Sequence, residues 1–222
     1  MIIAIDGPAG AGKSTIARMI AKKLKFTYID TGAMYRALTL KILDANIDPG
    51  KTRLIIRVAR DTDIDLKSAG TGGLKVLLDG KNVSKAIRYP RITKLVSDVA
   101  KIKEVRTVMV DLQRRLARGK NCVMEGRDTG TVVFPKAEKK FFLDADFAER
   151  VKRRHKELKE KSDMPQVKAN DVAADLHNRD TIDSTRKVAP LKRARGAVYV
   201  DTTHMTITQV VDALLRHIKE NG

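Results

Sequence analysis

Apolar residues along the chain fall into short runs and helical periods, and the two alternate. Met1 to Ile5 reads as a buried strand. Lys13 to Leu24 reads as a helix, with Ile16, Ile20 and Leu24 on one face. Phe26 to Ile29 is a second strand, and Ala33 to Ala45 a second helix carrying Leu38, Ile42 and Ala45 on one side. Strands separated by helices of this length pair in parallel, because each return needs a crossover. The expected class is therefore α/β, a parallel sheet covered by helices in three layers.

The alternation breaks between Asp61 and Val83. Asp63 to Leu66 and Leu74 to Leu78 read as strands joined through Gly70 to Gly73, and Asp79-Gly80 is a type I′ hairpin turn toward Lys81-Asn82-Val83. This predicts a small antiparallel insert, about residues 61–100. Helical spacing returns with Ile92, Leu95, Val99 and Ile102, then with Val105, Val108, Leu112 and Leu116. Cys122 to Met124, Lys140 to Leu143 and Val198 to Val200 are further strands. Thr206-x-x-Gln209 offers a capping box for a last helix carrying Ile207, Val210, Val211, Leu214 and Ile218. With neither repeats nor long linkers, residues 1–222 read as a single domain.

Composition narrows this only at a few points. Hydrophobic residues at 42% and charged ones at 32% describe a chain that folds. Met1-Ile2-Ile3-Ala4-Ile5 has no basic leader, and no apolar run approaches the ~18 residues of a membrane span, so a cytosolic protein is expected. The single cysteine, Cys122, lies in an apolar run and reads as buried filler. A net charge of +18 points to an anionic partner, nucleotide or nucleic acid, although helices such as Arg150 to Lys161 also read as solvated surface. Aromatic residues at 4%, without Trp, supply few stacking platforms for single-stranded nucleic acid. His155, His177, His204 and His217 lack metal-ligand spacing, so no metal held by the protein alone is expected.

The chemistry begins at Gly7-Pro8-Ala9-Gly10-Ala11-Gly12-Lys13-Ser14-Thr15. The match to G-x-x-x-x-G-K-[ST] follows a strand and opens an amphipathic helix, the context a phosphate-binding loop needs. Its glycines let backbone N–H groups turn inward around phosphate oxygens, and the helix N-terminus adds partial positive charge. Lys13 is expected on the β- and γ-phosphates, and Ser14 on Mg²⁺. The loop alone leaves GTPases, transport ATPases and kinases open. With neither an N-K-x-D nor an L-S-G-G-Q motif, a small-molecule kinase leads. An acceptor phosphate chiefly needs holding in line, which suits the many arginines near strand ends.

Three further stretches carry a family resemblance: Asp30-Thr31-Gly32-Ala33-Met34-Tyr35-Arg36, Glu125-Gly126-Arg127-Asp128-Thr129-Gly130-Thr131-Val132-Val133-Phe134-Pro135, and Arg179-Asp180-x-x-Asp183-x-x-Arg186-x-Val188-Ala189-Pro190-Leu191. Together they resemble the bacterial cytidylate kinases over nearly the whole chain. The resemblance implies a P-loop nucleoside monophosphate kinase fold that uses Mg²⁺ to phosphorylate CMP and dCMP from ATP. A monomer is expected, with neither membrane nor nucleic acid as partner. By the resemblance, Thr31, Tyr35, Arg36 and Arg127 hold the acceptor's phosphate and sugar edge. Ser97, Arg106, Asp128 and Arg186 read cytosine, and Arg179 with Asp183 meets the ribose. Asp128 suits cytosine because a carboxylate accepts from the exocyclic amino group and repels the carbonyl of uracil. Glu149-Arg150-x-x-Arg153-Arg154, with Ser162 to Ala169, resembles the family's lid, about residues 150–170, and brings Arg150 and Arg154 to the transferring group. Thr31 stands where the family often has Ser. Glu125, where Asp is common, is expected to act on Mg²⁺ through water. An NTP-dependent RNA-binding module and a kinase of an alcohol such as shikimate remain the competing readings.

Overall fold

The computed structural model describes residues 1–69, 73–160 and 167–220. In chain order the elements are β1 (Ile2–Asp6), α1 (Lys13–Leu24), β2 (Thr27–Asp30), α2 (Thr31–Asp44), α3 (Thr52–Arg60), β3 (Ile64–Ala69), β4 (Gly73–Leu78) and β5 (Lys81–Asn82). They continue with α4 (Pro90–Ala100), α5 (Lys103–Ala117), β6 (Cys122–Gly126), β7 (Lys139–Asp144), α6 (Phe147–Lys159), α7 (Ala169–Thr185), β8 (Val198–Asp201) and α8 (Ile207–Lys219).

The main sheet has five parallel strands in the order β2-β6-β1-β7-β8. One face carries Ile3, Ile5, Val123, Phe141 and Leu143, covered by α1 through Ile16 and Ile20 and by α8 through Val211 and Leu214. The other presents Ile29, Cys122 and Met124 to Met34 and Leu38 of α2 and to Met109 and Leu112 of α5. Alternate residues of β6 therefore enter two separate cores, which is why that strand reads as an unbroken apolar run. The Cys122 thiol is fully buried and burial pushes its pKa up to about 11, leaving it an inert packing group. Three layers of helix, sheet and helix result, as expected.

The insert is a three-stranded antiparallel sheet in the order β3-β4-β5. Its second turn has both central residues left-handed, Asp79 at φ 48 and Gly80 at φ 79, as a type I′ turn requires. The join read through Gly70 to Gly73 falls largely outside the described residues, and so does much of the Ser162 to Ala169 stretch. Both halves of the capping box form. Thr206 Oγ1 accepts from the Gln209 N–H at 3.3 Å, and Gln209 Oε1 accepts from the Thr206 N–H at 2.8 Å.

Helix α2 begins at Thr31, two residues before the apolar period suggests, because the Asp30 carboxylate accepts from the Ala33 N–H at 2.7 Å and caps it. Helix α3 fully buries Ile55 and Ala59, and Ile56 and Val58 pack beside them against the same core. Helix α7 buries only Val172, Leu176 and Asp183, so its apolar period is nearly silent.

Register places the site. Asp6 pairs with Gly126 and Asp30 with Glu125, so β1, β2 and β6 end level and release their loops side by side. The strand order also reverses about β1, the place where open α/β sheets present a crevice at their carboxyl edge.

Candidate active site

A cavity of about 950 Å³ opens at this edge and is lined from Ala9–Ile16 to Asp183 and Arg186. At one end the loop Gly7–Gly12 leads from β1 into α1. A Cβ on Gly7 would lie 1.9 Å from the Leu143 carbonyl oxygen, so only glycine lets the chain leave the sheet there. Helix α1 has no side-chain cap and no acid in its first turn, which leaves its N-terminal N–H groups and dipole facing the cavity. Lys13 is buried and its ammonium donates to the Pro8 carbonyl at 2.6 Å. Burial, with Arg127 close by, lowers its pKa to about 7 against the pull of Glu125 and Asp6.

Beneath the loop, buried Glu125 accepts from the Tyr28 hydroxyl at 2.6 Å and from the Ser14 side chain. Burial, followed by the charge of Asp30, holds the Glu125 pKa above the ordinary carboxylate range. An exposed hydroxyl at a helix N-terminus beside a buried carboxylate is an all-oxygen donor set, and it fits Mg²⁺. Asp6 is engaged elsewhere. Its two oxygens accept from the Thr129 and Gly130 N–H groups at 2.8 and 2.7 Å, starting a single wide turn, Thr129–Val133. Burial raises the Asp6 pKa to about 6 although both hydrogen bonds oppose it.

The opposite end is a buried charged recess. Asp128 Oδ2 accepts from Arg106 Nη2, and Asp128 Oδ1 lies 3.8 Å from Arg186 Nη2. Arg106 also donates to the Ala100 carbonyl at 3.1 Å, and its guanidinium stacks 5.4 Å from the Tyr35 ring centre. Asp183 accepts from Arg127 Nε at 2.8 Å and from Arg186 Nη1 at 3.4 Å. Ser97 of α4 lines the same recess and is buried. Among the described residues the Tyr35 hydroxyl, Arg106 Nε and Arg186 Nη2 are buried with no hydrogen-bond partner, so polar groups outnumber their hydrogen-bond partners here.

Between the two ends stand Arg36, Arg127, Arg154 and Arg179, all lining the cavity. The Arg179 pKa falls to about 10, first through burial and then through Arg127, with Arg36 and Arg154 adding to the effect and Asp175 opposing it. With the charges of Arg127, Arg36 and Arg154 all acting on Arg179, the group makes a strong anion site.

The structure thus brings together Lys13, Ser14, Tyr35, Arg36, Ser97, Arg106, Arg127, Asp128, Arg154, Arg179, Asp183 and Arg186. Three placements differ from the sequence reading. Among the described residues Arg179 pairs with Asp175, at 3.9 Å, and its other close charges are the phosphate-side arginines; Asp183 pairs with Arg127 and Arg186. Arg150 does not line the cavity: it donates to the Ala145 and Ala9 carbonyls, each at 3.0 Å, and to Asp180. The Thr31 hydroxyl donates to the Glu125 carbonyl at 2.7 Å and joins β2 to β6, although Thr31 still lines the cavity. Gly126 is obligatory at that join, since a Cβ would lie 2.6 Å from Thr31 Oγ1.

Sequence reasoning missed Tyr28, which holds Glu125, and the cavity-lining Arg18 and Arg88, none of which carries a motif signal, together with the cavity arm along Thr202–Ile207. Arg153 secures that arm, donating to Thr202 Oγ1 at 3.0 Å and to its carbonyl at 2.6 Å. Asp180 stands inside the Arg179–Leu191 motif, whose resemblance implies no role for it.

The sequence profile of a family described as cytidylate kinase matches residues 3–220. A cytidylate kinase of Caldanaerobacter subterraneus subsp. tengcongensis is 51% identical over 219 residues, covering 99% of this chain and 95% of that protein. One of Alkaliphilus oremlandii is 49% identical, covering 98% of this chain and 97% of that protein. Among solved structures, a shikimate kinase from Bacteroides thetaiotaomicron superposes with a TM-score of 0.50 at 12% identity, covering 99% of this chain and 98% of that one. At that identity the likeness is one of fold alone.

Proposed function

The chain belongs to the cytidylate kinase family, and on that premise we propose how its cavity moves the γ-phosphoryl group of ATP to CMP, and equally to dCMP. The observation that carries this reading is the order along one continuous cleft, from Lys13 of the phosphate-binding loop to the nearby Arg127, from Arg127 to Asp183, and from Asp183 through Arg186 to Asp128. That order matches a donor polyphosphate, a transferring group and an acceptor base.

The triphosphate lies on the loop N–H groups and Lys13, with its nucleoside along Thr202–Ile207. Lys13 is held ready by Pro8 and regains its charge against the phosphates. Ser14, and Glu125 through water, would hold Mg²⁺, which would offset charge on the donor phosphates. At the far end Asp128 accepts from the exocyclic amine of cytosine, while Arg106, Arg186 and Ser97 have donors for its ring nitrogen and carbonyl oxygen. Asp183 meets the ribose and at the same time fixes Arg127.

An oxygen of the acceptor phosphate attacks the γ-phosphorus, the bond from that phosphorus to the β-bridging oxygen breaks, and ADP leaves with the electron pair. The nucleophile is already an anion, so no base is needed. Catalysis is alignment and neutralisation by Arg36, Arg127, Arg154 and Arg179. Arg150 supports the loop from outside the cavity. Residues of about 61–100 would serve as the acceptor-side insert, and a lid of about 150–170, of which 161–166 lie outside the described residues, would exclude water by closing over the phosphates. We read the enzyme as a monomer, and nucleotide substrates fit a cytosolic location. Among the described residues no helix is long and apolar enough to cross a membrane.

The test is a panel of nucleoside monophosphates with ATP and Mg²⁺. CMP and dCMP should stimulate ADP formation far more than AMP or GMP. Salt-sensitive RNA binding with no acceptor stimulation would favour the binding-module reading instead.

A further inference from the structure

Resting on that reading of the cleft, we propose that Asp180 is a positioning residue of the donor site. Through it, helix α7 couples occupancy of the acceptor recess to the shape of the phosphate-binding loop.

The loop is gripped at Ala9. Its N–H donates to Asp180 Oδ1 at 3.2 Å, and its carbonyl accepts from Arg150 Nη1 at 3.0 Å. Arg150 and Asp180 are themselves ion-paired, and Arg150 Nε is tied to the Ala145 carbonyl just beyond β7. Both backbone groups of one loop residue are thus fixed by an ion pair that spans α6 and α7.

Packing follows the same line. The Ala9 methyl is buried with Val172 and Leu176 of α7, and Val151 and Leu158 of α6 pack against them. The two helices share a small core that includes a residue of the loop. At Gly10 a Cβ would lie 3.0 Å from both the Cβ and the carbonyl oxygen of Arg150, so the loop has little room to shift unless α6 moves.

Helix α7 then continues into the acceptor site. One turn after Asp180, Asp183 holds Arg127 and Arg186, and Arg186 faces Asp128. A helix is stiff over one turn. When an acceptor engages Asp183 and the arginines around it, the change is carried to Asp180 and from there to Ala9, next to the Pro8 carbonyl that receives Lys13. Each substrate then favours the same arrangement of α7, and by linkage each tightens the other to the same degree.

Asp180→Asn keeps the shape and removes the charge that pairs with Arg150. Calorimetry measures a non-hydrolysable ATP analogue and CMP, each alone and each with the other saturating. In the unaltered protein, CMP is expected to tighten the analogue about fivefold, and the reverse experiment to give the same factor. In Asp180→Asn the factor falls to about one and KM for ATP rises about tenfold, the scale of a lost charge-assisted hydrogen bond. The affinity of the free variant for CMP stays within about twofold, because the recess residues are untouched.

A purely structural role would lower the melting temperature and leave the coupling factor intact, and that result overturns the proposal. A coupling factor of one in the unaltered protein overturns it as well. Should the single variant fail to fold, Arg150→Met with Asp180→Leu replaces the pair by apolar volume, a change that buried ion pairs commonly tolerate, and the same loss of coupling is expected. Failure of the underlying reading is recognised separately, as an unaltered protein that neither binds CMP nor forms ADP in response to it.

Discussion

Asp183→Asn tests stability and catalysis at one buried point. The carboxylate is 5% exposed and receives Arg127 Nε at 2.8 Å and Arg186 Nη1 at 3.4 Å. Removing one partner of a buried pair costs about 3–5 kcal/mol. The amide keeps one acceptor oxygen, so the lower end, about 3 kcal/mol, is the estimate. At about 2–4 °C per kcal/mol for a chain of this size, Tm falls by roughly 6–12 °C.

The pH dependence has a definite sign. Burial alone would raise the Asp183 pKa, but Arg127 and Arg186 outweigh it and hold the carboxyl below its ordinary range. A depressed carboxylate contributes its stability above the unfolded pKa and loses it as pH falls through the folded value. The Tm gap between the two proteins should therefore be full at neutral pH and close in acid below the carboxylate range.

Kinetically, Arg127 loses its anchor beside the transferring group, and kcat/KM for CMP falls about a hundredfold, the scale of a small misplacement at the reacting centre. CMP loses more than dCMP, because only ribose offers a 2′-hydroxyl to the carboxylate. Scanning calorimetry across pH and steady-state kinetics with both acceptors check these outcomes. A Tm within about 2 °C of the unaltered protein together with unchanged kinetics would refute the burial argument. Equal losses for CMP and dCMP would leave Asp183 as the holder of Arg127 and remove the 2′-hydroxyl contact.

Lys13→Ala should abolish turnover and leave the CMP dissociation constant within about twofold, since the loop lysine serves donor phosphates; retained activity would sink that assignment. With its pKa lowered to about 7, Lys13 is mostly neutral in the free protein at pH 8 and recharges against bound phosphates. Binding of an ATP analogue at that pH should take up protons, seen as heats that differ between buffers of different ionisation enthalpy, and identical heats would contradict it. Asp128→Asn should narrow the preference for CMP over UMP by about 1–3 kcal/mol, because the amide can donate to the uracil carbonyl. It also leaves Arg106 and Arg186 facing each other without their shared carboxylate. An unchanged ratio of kcat/KM values would mean that Asp128 does not face the base.

Elements that bury a wide apolar stripe were legible in the sequence. Helix α1 runs over Lys13–Leu24 as read, because Ile16, Ala17, Ile20 and Ala21 all face one core. The Asp79-Gly80 turn was legible for a different reason: its backbone conformation selects those two residue types directly. Helix α7 was not, since its inward face is partly charged and its burial is decided by partners far away in sequence. The wide turn Thr129–Val133 was equally hidden. It is started by Asp6, whose nearest partner there lies 123 residues away, and no local pattern announces such a bond.

Charge shows the same limit most sharply within a single helix. Arg150 and Arg154 stand four apart on α6, close to the same face, and from sequence both read as arginines brought to the transferring group. The structure divides them. Arg154 lines the cavity, while Arg150 is buried against the Ala9 carbonyl and Asp180. Periodicity assigns both to one side of the helix; what separates them is the position of a carboxylate thirty residues further on, which α7 brings back against the loop. A guanidinium that meets a buried carboxylate and a backbone carbonyl is fixed and becomes scaffold. One that meets mainly other guanidiniums, as Arg179 does, remains a site for anions. The distinction depends on the number of acceptors each arginine finds after folding, so it becomes visible only when the two helices are packed together.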